Sequence, residues 1–365
     1  MTHSSPPSDG SLNCIRHCYA AITPMAVFCY DEAMYESLHN HTTASDGTQT
    51  YEEVLAAAQR IGYGTIAFTD HDTLPTPEVM TRLRAYDGPV QWLIGCEISS
   101  GLPRELGGGP TSMFHILGLF TDPTNVALRE HCRLAVEART TRMETMVANL
   151  TGLGFTITAA DCLVASGGET VGRPHIVKAL GMHPENTAVI TRIKGEMAAA
   201  AMTSASVAMD YMRMNERDPS DYPYRLFLSD DAFMPGIYVD YLYSIDMDAS
   251  VKLIRDAGGI ALLAHWPTIS RKINAAMLEG FLRDGRLDGV ELRTGFVDNQ
   301  VERQGNQLAA MAKATGRTWT IGVDGHREVD MIRFVRDIAL ARQTEGQTAR
   351  LVSEFKPDLT SCSSL

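Results

Sequence analysis

The sequence has no run of Lys or Arg, and its formal net charge is −12. A surface of that sign gains little from a long polyanion, so duplex nucleic acid is excluded as a partner. A small phosphorylated molecule is not excluded, because bound metal ions supply their own local positive charge. No stretch reaches eighteen uninterrupted apolar residues, which argues against a membrane-spanning helix. The seven cysteines (Cys14, Cys18, Cys29, Cys96, Cys132, Cys162 and Cys362) form neither a CxxC pair nor a dense framework. Reduced thiols in a cytoplasm fit this usage best, with Cys96 read as a small buried apolar side chain. Residues 1–33 hold Ser, Pro and Gly and then nothing periodic, and are expected to form a loose extension.

The remaining sequence alternates short apolar runs with helical periods. Thr50 and Glu53 make a capping box ahead of Val54, Leu55, Ala58 and Ile61, and Gly62 closes that helix. Apolar runs ending near Phe68, Ile98, Ala264, Leu292 and Val323 read as strands, as do Tyr35–His41 and Met113–Phe120. A long helix is expected from Val126 to about Leu150, placing Arg139 and Arg142 on one face. The strand–helix rhythm is that of a parallel barrel or an open α/β sheet. It breaks in an Ala- and Met-rich helical stretch, so the expected organisation is a fold in two parts, 34–183 and 224–344. Between them, 184–223 would be an inserted helical subdomain, a candidate lid, and 345–365 a flexible tail.

Polar residues that ligate metals recur at the strand ends. His39 and His41, two apart on one strand, point to the same side, and Asp46 follows in the next loop. His71, Glu97, His265, Asp324 and His326 fall at or just after the ends of other strands, and His115 lies inside one. In a β/α barrel such ends converge on one mouth. Nine nitrogen and oxygen ligands are too many for one ion, and three fit if Glu97 or another carboxylate bridges a pair. With no Cys among them, Mn²⁺ is the first expectation, with Zn²⁺ or Fe²⁺ as alternatives.

The motifs His39-Asn40-His41, Ser45-Asp46-Gly47, Thr69-Asp70-His71-Asp72, Gly95-Cys96-Glu97, Ala264-His265 and Asp324-Gly325-His326 resemble those of the polymerase-and-histidinol-phosphatase (PHP) superfamily of metal-dependent phosphoesterases. Phe114-His115-Ile116-Leu117-Gly118 and Gly172-Arg173-Pro174-His175 look like the branch with bacterial nucleoside bisphosphate phosphatases and 5′-to-3′ oligoribonucleases. The resemblance implies a distorted (β/α)₇ barrel with an inserted helical subdomain. It also implies a trinuclear centre ligated by the nine residues above, and a metal-bridging hydroxide as nucleophile. Catalysis would rest on His71, Glu97 and Asp324. Arg142, Arg173 and His175 are the expected phosphate contacts, since Arg offers a planar fork to phosphate oxygens. Trp266 stands where the family usually places Pro, and is expected to stack on a ring of the substrate.

The leading function is hydrolysis of small phosphate esters of nucleotide or nucleoside-bisphosphate type. Exonucleolytic cleavage of short RNA is its same-chemistry variant. Amidohydrolase-type C–N hydrolysis and a non-catalytic binding module stand as the other classes. The partners expected are a small phosphorylated substrate or a short oligonucleotide, with no membrane and no long nucleic acid. The oligomeric state is left open.

Overall fold

The computed structural model describes residues 35–108, 113–167, 170–293 and 299–335, together with Leu351 and Glu354. The extension expected for 1–33, and nearly all of the tail expected for 345–365, lie outside the described residues.

The first half of the sheet is built from β1 (Tyr35–Ser37), α1 (Tyr51–Ile61), β2 (Tyr63–Phe68), α2 (Pro77–Arg84), β3 (Gln91–Gly101) and β4 (Phe114–Leu119). Helices follow: α3 (Val126–Gly152), α4 (Ala159–Ser166), α5 (Arg173–Gly181), α6 (Asn186–Ala201), α7 (Ala205–Asn215) and α8 (Tyr222–Leu226). The strand–helix rhythm then resumes with β5 (Ile245–Asp246), α9 (Met247–Asp256), β6 (Ile260–Leu263) and α10 (Ala275–Arg283). It ends with β7 (Gly289–Arg293), α11 (Asn299–Thr315), β8 (Thr318–Gly322) and α12 (Glu328–Val335). The capping box predicted for α1 forms: the Glu53 amide donates to Thr50 Oγ1 at 3.3 Å, and the Thr50 amide to Glu53 Oε2 at 2.8 Å.

One eight-stranded sheet runs β1-β2-β3-β4-β6-β7-β8, with β5 paired to β3. Its pairs are parallel except where β4 meets β3 and β6, which it faces antiparallel. Beyond the two ends of this order, the Leu38 amide donates to Ile321 O at 2.8 Å and the His41 amide to Gly325 O at 2.8 Å. The segment after β1 therefore hydrogen-bonds to the segment ending β8. β1 is shorter than the strand expected from Tyr35 to His41; past Ser37 the chain bonds to both neighbours irregularly, the Thr69 amide donating to Asn40 O at 2.9 Å on the β2 side.

Alternation along the strands divides the sheet into two faces. Ile94, Cys96 and Ile98 of β3, with Val290 and Leu292 of β7, face the helices in the main core. Leu93, Leu117, Leu119 and Leu262 face the other way, in a smaller apolar cluster. Glu97 shares its side of β3 with Leu93, and His115 its side of β4 with Leu117 and Leu119. The face that holds the polar cluster is thus apolar one or two residues deeper. Cys96 is fully buried on the helix side, as a small apolar residue would be.

The helical stretch has an apolar core of its own. Ile193, Met197, Met214 and Leu226 of α6 to α8 pack with Met143, Met146 and Leu150 of α3 and with Ile176 and Leu180 of α5. The cluster runs from Met143 to Ile237, so it draws on more of the sequence than 184–223. Among the described residues, no helix is long and apolar enough to cross a membrane.

Candidate metal centre

Glu97, fully buried in β3, is the hub of the polar cluster. Its Oε1 lies 2.8 Å from His115 Nδ1 and 2.8 Å from His265 Nε2. Its Oε2 lies 2.9 Å from His71 Nδ1, 3.1 Å from His39 Nε2 and 3.2 Å from His41 Nε2. Asp324 Oδ1 approaches His41 Nε2 at 3.2 Å and His39 Nε2 at 3.6 Å. Asp46 Oδ1 lies 3.2 Å from His326 Nε2 and 3.7 Å from His41 Nδ1, and its Oδ2 lies 3.8 Å from His71 Nε2. All nine residues singled out from the sequence meet in one place.

These donors fall into three overlapping groups, each tight enough for one ion. They are His41, Asp46, His71 and His326; His39, His41, Glu97 and Asp324; and His71, Glu97 and His115. His265 completes the neighbourhood of the last, with its Nε2 3.1 Å from His115 Nδ1. The chemistry of the donor set fits divalent cations. Imidazole lone pairs and carboxylate oxygens are turned toward one another, and acceptors so placed repel unless a cation or proton stands between them. Asp46 Oδ1, His71 Nδ1 and Glu97 Oε2 are buried without a hydrogen-bond partner, which a coordinated cation would satisfy.

A layer of neighbours fixes the ligands. Glu291 Oε1 lies 2.7 Å from His39 Nδ1, which leaves Nε2 to face the cluster, and its Oε2 accepts the His265 amide at 2.8 Å. Asp70 holds the loop between His41 and Asp46: it accepts from the Thr42 amide at 2.7 Å, Thr42 Oγ1 at 2.8 Å and Ser45 Oγ at 2.6 Å. Gly322 admits this packing, since a Cβ there would lie 2.2 Å from Glu291 Oε1 and 2.4 Å from His39 Cβ. His265 and Asp324 both take positive φ, at 28° and 52°. Non-glycine residues rarely adopt that backbone, and the surrounding bonds hold them in it.

The electrostatics are those of interlocked opposite charges. Burial pushes His41 down, but Asp324, Glu97 and Asp46 outweigh it and raise the imidazole to about 10. His39 is raised well above its ordinary value: burial opposes, and Glu291, Glu97 and Asp324 prevail. Burial pushes Glu97 up, yet His115, His71 and His39 bring it well below the usual carboxylate range. Asp46 and Asp324 are lowered in the same way, against burial, by their histidine neighbours.

The expected phosphate contacts sit on α3 and α5. Arg142 is buried; its Nε donates to Val239 O at 2.6 Å, and its guanidinium lies over the rings of Tyr238 and Tyr241. Arg173 opens α5 and donates to Leu228 O at 3.0 Å. His175 Nδ1 accepts the Gly172 amide at 3.0 Å, so the proton of the neutral ring is on Nε2. Arg139, expected on the same helix face as Arg142, pairs with the buried Asp72 and is also bonded to Ser99 Oγ at 2.8 Å. Trp266 corrects the expectation of a stacking surface. Its indole is 5% exposed, lies in the main core and donates Nε1–H to Ile273 O at 2.7 Å, so its ring is spent on packing. Tyr224, Tyr238 and Tyr241 were not singled out from the sequence, because they lie in no motif and at no regular spacing. Beside the cluster a cleft of about 430 Å³ is lined by Asp46, Asp324, His326, Pro174, Tyr224 and Arg327, among others.

Comparison with known proteins finds one family and several relatives. The family described as the PHP domain matches residues 37–207. A phosphoribosyl 1,2-cyclic phosphate 1,2-diphosphodiesterase of Eggerthella lenta is 32% identical over 152 residues, 41% of this chain and 56% of that protein. The 5′-3′ exoribonuclease Rnm of Salmonella typhimurium is 24% identical over 317 residues, 86% of this chain and 92% of that protein. The chain thus spans little more than half of the first relative and nearly all of the second. Among solved structures, a candidate metal-dependent phosphoesterase from Bifidobacterium adolescentis is similar at 25% identity and a TM-score of 0.58, over 81% of this chain and 88% of that one. An amidohydrolase from Chromobacterium violaceum, at 21% identity and a TM-score of 0.58, covers 80% and 88%, and shares the fold. The histidine-rich segments from Ser37 onward, the Glu97 hub and these relatives point the same way: residues 37–207 are similar to the PHP domain.

Proposed function

We propose that this chain is a metal-dependent phosphoesterase that hydrolyses small phosphate esters of nucleotide type. The observation that carries the reading is the Glu97 carboxylate, with five imidazole nitrogens at 2.8–3.2 Å. Such a carboxylate is suited to bridge cations, and the three overlapping donor groups suit three ions, Mn²⁺ first. Divalent ions bound there would bring a coordinated water toward neutral pKa and neutralise phosphoryl oxygens. The protein's own residues hold the ester. Arg173 and the Nε2–H of His175 are its proposed donors, from the start of α5. Asp46, Asp324 and His326 line the cleft through which the ester would arrive. A distorted (β/α)₇ barrel is the architecture we assign to 34–183 and 224–344, with 184–223 inserted. The bonds joining the chain after β1 to the end of β8 support it.

Exonucleolytic cleavage of short RNA is the second reading. The likeness to the exoribonuclease along most of both chains and the open cleft beside Asp46 favour it. The test is a screen of the Mn²⁺-loaded protein against phosphomonoesters, nucleoside bisphosphates, 5′-phosphorylated oligoribonucleotides and amides, with metal analysis of the purified chain. Phosphate release from the small esters, lost in His71→Ala and Asp324→Ala variants that keep their fold, is the expected result. Mononucleotides released only from oligoribonucleotides would move the assignment to the nuclease. Fewer than two ions per chain, or hydrolysis of amides alone, would overturn both readings.

A further inference from the structure

Three arginines and three tyrosines alternate in a ladder beside the centre. The Arg139 guanidinium lies 5.5 Å from the Tyr241 ring centroid, and Arg142 lies 4.2 Å from Tyr241 and 5.1 Å from Tyr238. Arg173 lies 5.7 Å from both Tyr238 and Tyr224. The arginines come from α3 and α5. Tyr238 and Tyr241 come from residues 227–244, which hold no helix or strand between α8 and β5. That segment is tied by its backbone to two of the same arginines and to Asn149 of α3: Arg142 donates to Val239 O, Arg173 to Leu228 O, and Asn149 Nδ2 to Ile237 O at 3.3 Å. A connection of this length without its own secondary structure is uncommon unless it serves function.

Charge is unevenly compensated along the ladder. Asp72 takes the charge of Arg139, whereas neither Arg142 nor Arg173 pairs with a carboxylate among the described residues. Arg142 is 3% exposed, and its Nη2 is buried with no hydrogen-bond partner. A buried cation in that state is costly unless an anion joins it. The aromatic faces offset part of the cost and fix the guanidinium planes. The ladder also lies next to the candidate centre. Pro174, which follows Arg173, and Tyr224 line the cleft with Asp46.

We infer that Tyr238 and Tyr241 are positioning residues of the substrate site. Residues 227–244 form a strap whose rings hold the Arg142 and Arg173 guanidiniums ready for an anionic oxygen of the ester, while Asp72 removes Arg139 from that task. The inference rests on the phosphoesterase reading for the identity of the anion. It adds the strap, the two tyrosines and the division of labour among the arginines.

The experiment compares Tyr238→Phe, Tyr238→Leu, Tyr241→Phe and Tyr241→Leu in the metal-loaded full chain. It measures KM and kcat on the best ester of the screen, Tm, and binding of inorganic phosphate by calorimetry. The Leu variants are expected to raise KM and weaken phosphate binding about three- to thirtyfold with kcat within about twofold, and the Phe variants to restore both. Arg142→Lys combined with Tyr238→Leu should lose less than the sum of the single changes, because the two act as a unit. Unchanged KM and phosphate binding in the Leu variants, with or without a lower Tm, would overturn the inference. Phe variants as defective as Leu would do the same. Should the wild type hydrolyse none of the esters, the function fails by that result, while phosphate binding still decides the role of the tyrosines.

Discussion

A single methyl group at Gly322 tests whether the support around His39 is as tight as the geometry requires. In Gly322→Ala the new Cβ would sit 2.2 Å from Glu291 Oε1 and 2.4 Å from His39 Cβ, more than 1 Å inside ordinary contact. Neither neighbour can yield freely. Glu291 is pinned by its 2.7 Å contact to His39 Nδ1 and its 2.8 Å bond from the His265 amide, and His39 is enclosed completely. Overpacking costs about 1–3 kcal/mol, and giving up one charge-assisted bond costs about 1.5–3 kcal/mol more. A net loss of about 3–5 kcal/mol follows if both occur. Because His39 and His265 lose their common anchor together, metal affinity should fall by about 10- to 100-fold. Gly195→Ala is the control. It lies within α6 with nothing within 4 Å of its would-be Cβ, and should stabilise by about 0.5–1 kcal/mol. Thermal unfolding and metal titration of both variants read the contrast. Wild-type stability and metal content in Gly322→Ala, or equal damage in Gly195→Ala, would refute the reasoning.

Asp72 is held at about 2 against an ordinary 3.8: burial pushes it up, and Arg139, His131 and Ser99 bring it down. A lowered carboxylate stabilises the fold above its ordinary value, and that contribution, about 2 kcal/mol, disappears as pH falls from about 4 through 2. Asp72→Asn should therefore lose about that much in urea unfolding at pH 7 and approach the wild type only near pH 2; a gap that stays constant argues against the pairing. With no metal bound, His41 is raised to about 10, so at pH 7.5 it carries a proton that a coordinating nitrogen must shed. Calorimetric Mn²⁺ titrations in buffers of different ionisation enthalpy should show proton release, and affinity should rise with pH. Identical heats in all buffers would contradict this. Trp266→Phe removes the Nε1–H bond to Ile273 O and should cost about 1 kcal/mol of stability while leaving KM unchanged. A raised KM with unchanged stability would return Trp266 to the substrate site.

How far the centre was legible follows from where each ligand sits on its strand. His71, His265 and Asp324 lie just beyond the C-terminal ends of β2, β6 and β8, and an apolar run ending in such a residue announces its role; Glu97 lies inside β3, which runs on to Gly101, past the end expected near Ile98. His115 follows another rule. It is the second residue of β4, which runs antiparallel to β3 and β6, so the start of this strand faces the mouth that the others reach with their ends. An apolar run does not state its direction, and only the motif around Phe114-His115 pointed there. Glu291 lies within β7 and its partner His39 is 252 residues away, so nothing local names it. Gly322 was silent for the same reason: what makes a side chain impossible there is brought by β7 and by the segment after β1. The strap marks the deepest limit. Tyr238 and Tyr241 sit among residues 227–244, where no period of two or 3.6 orders the side chains. Their meaning comes entirely from guanidiniums on two distant helices. Pattern exposes a residue that acts through its own strand or helix, and conceals one that acts by holding another element's charge in place.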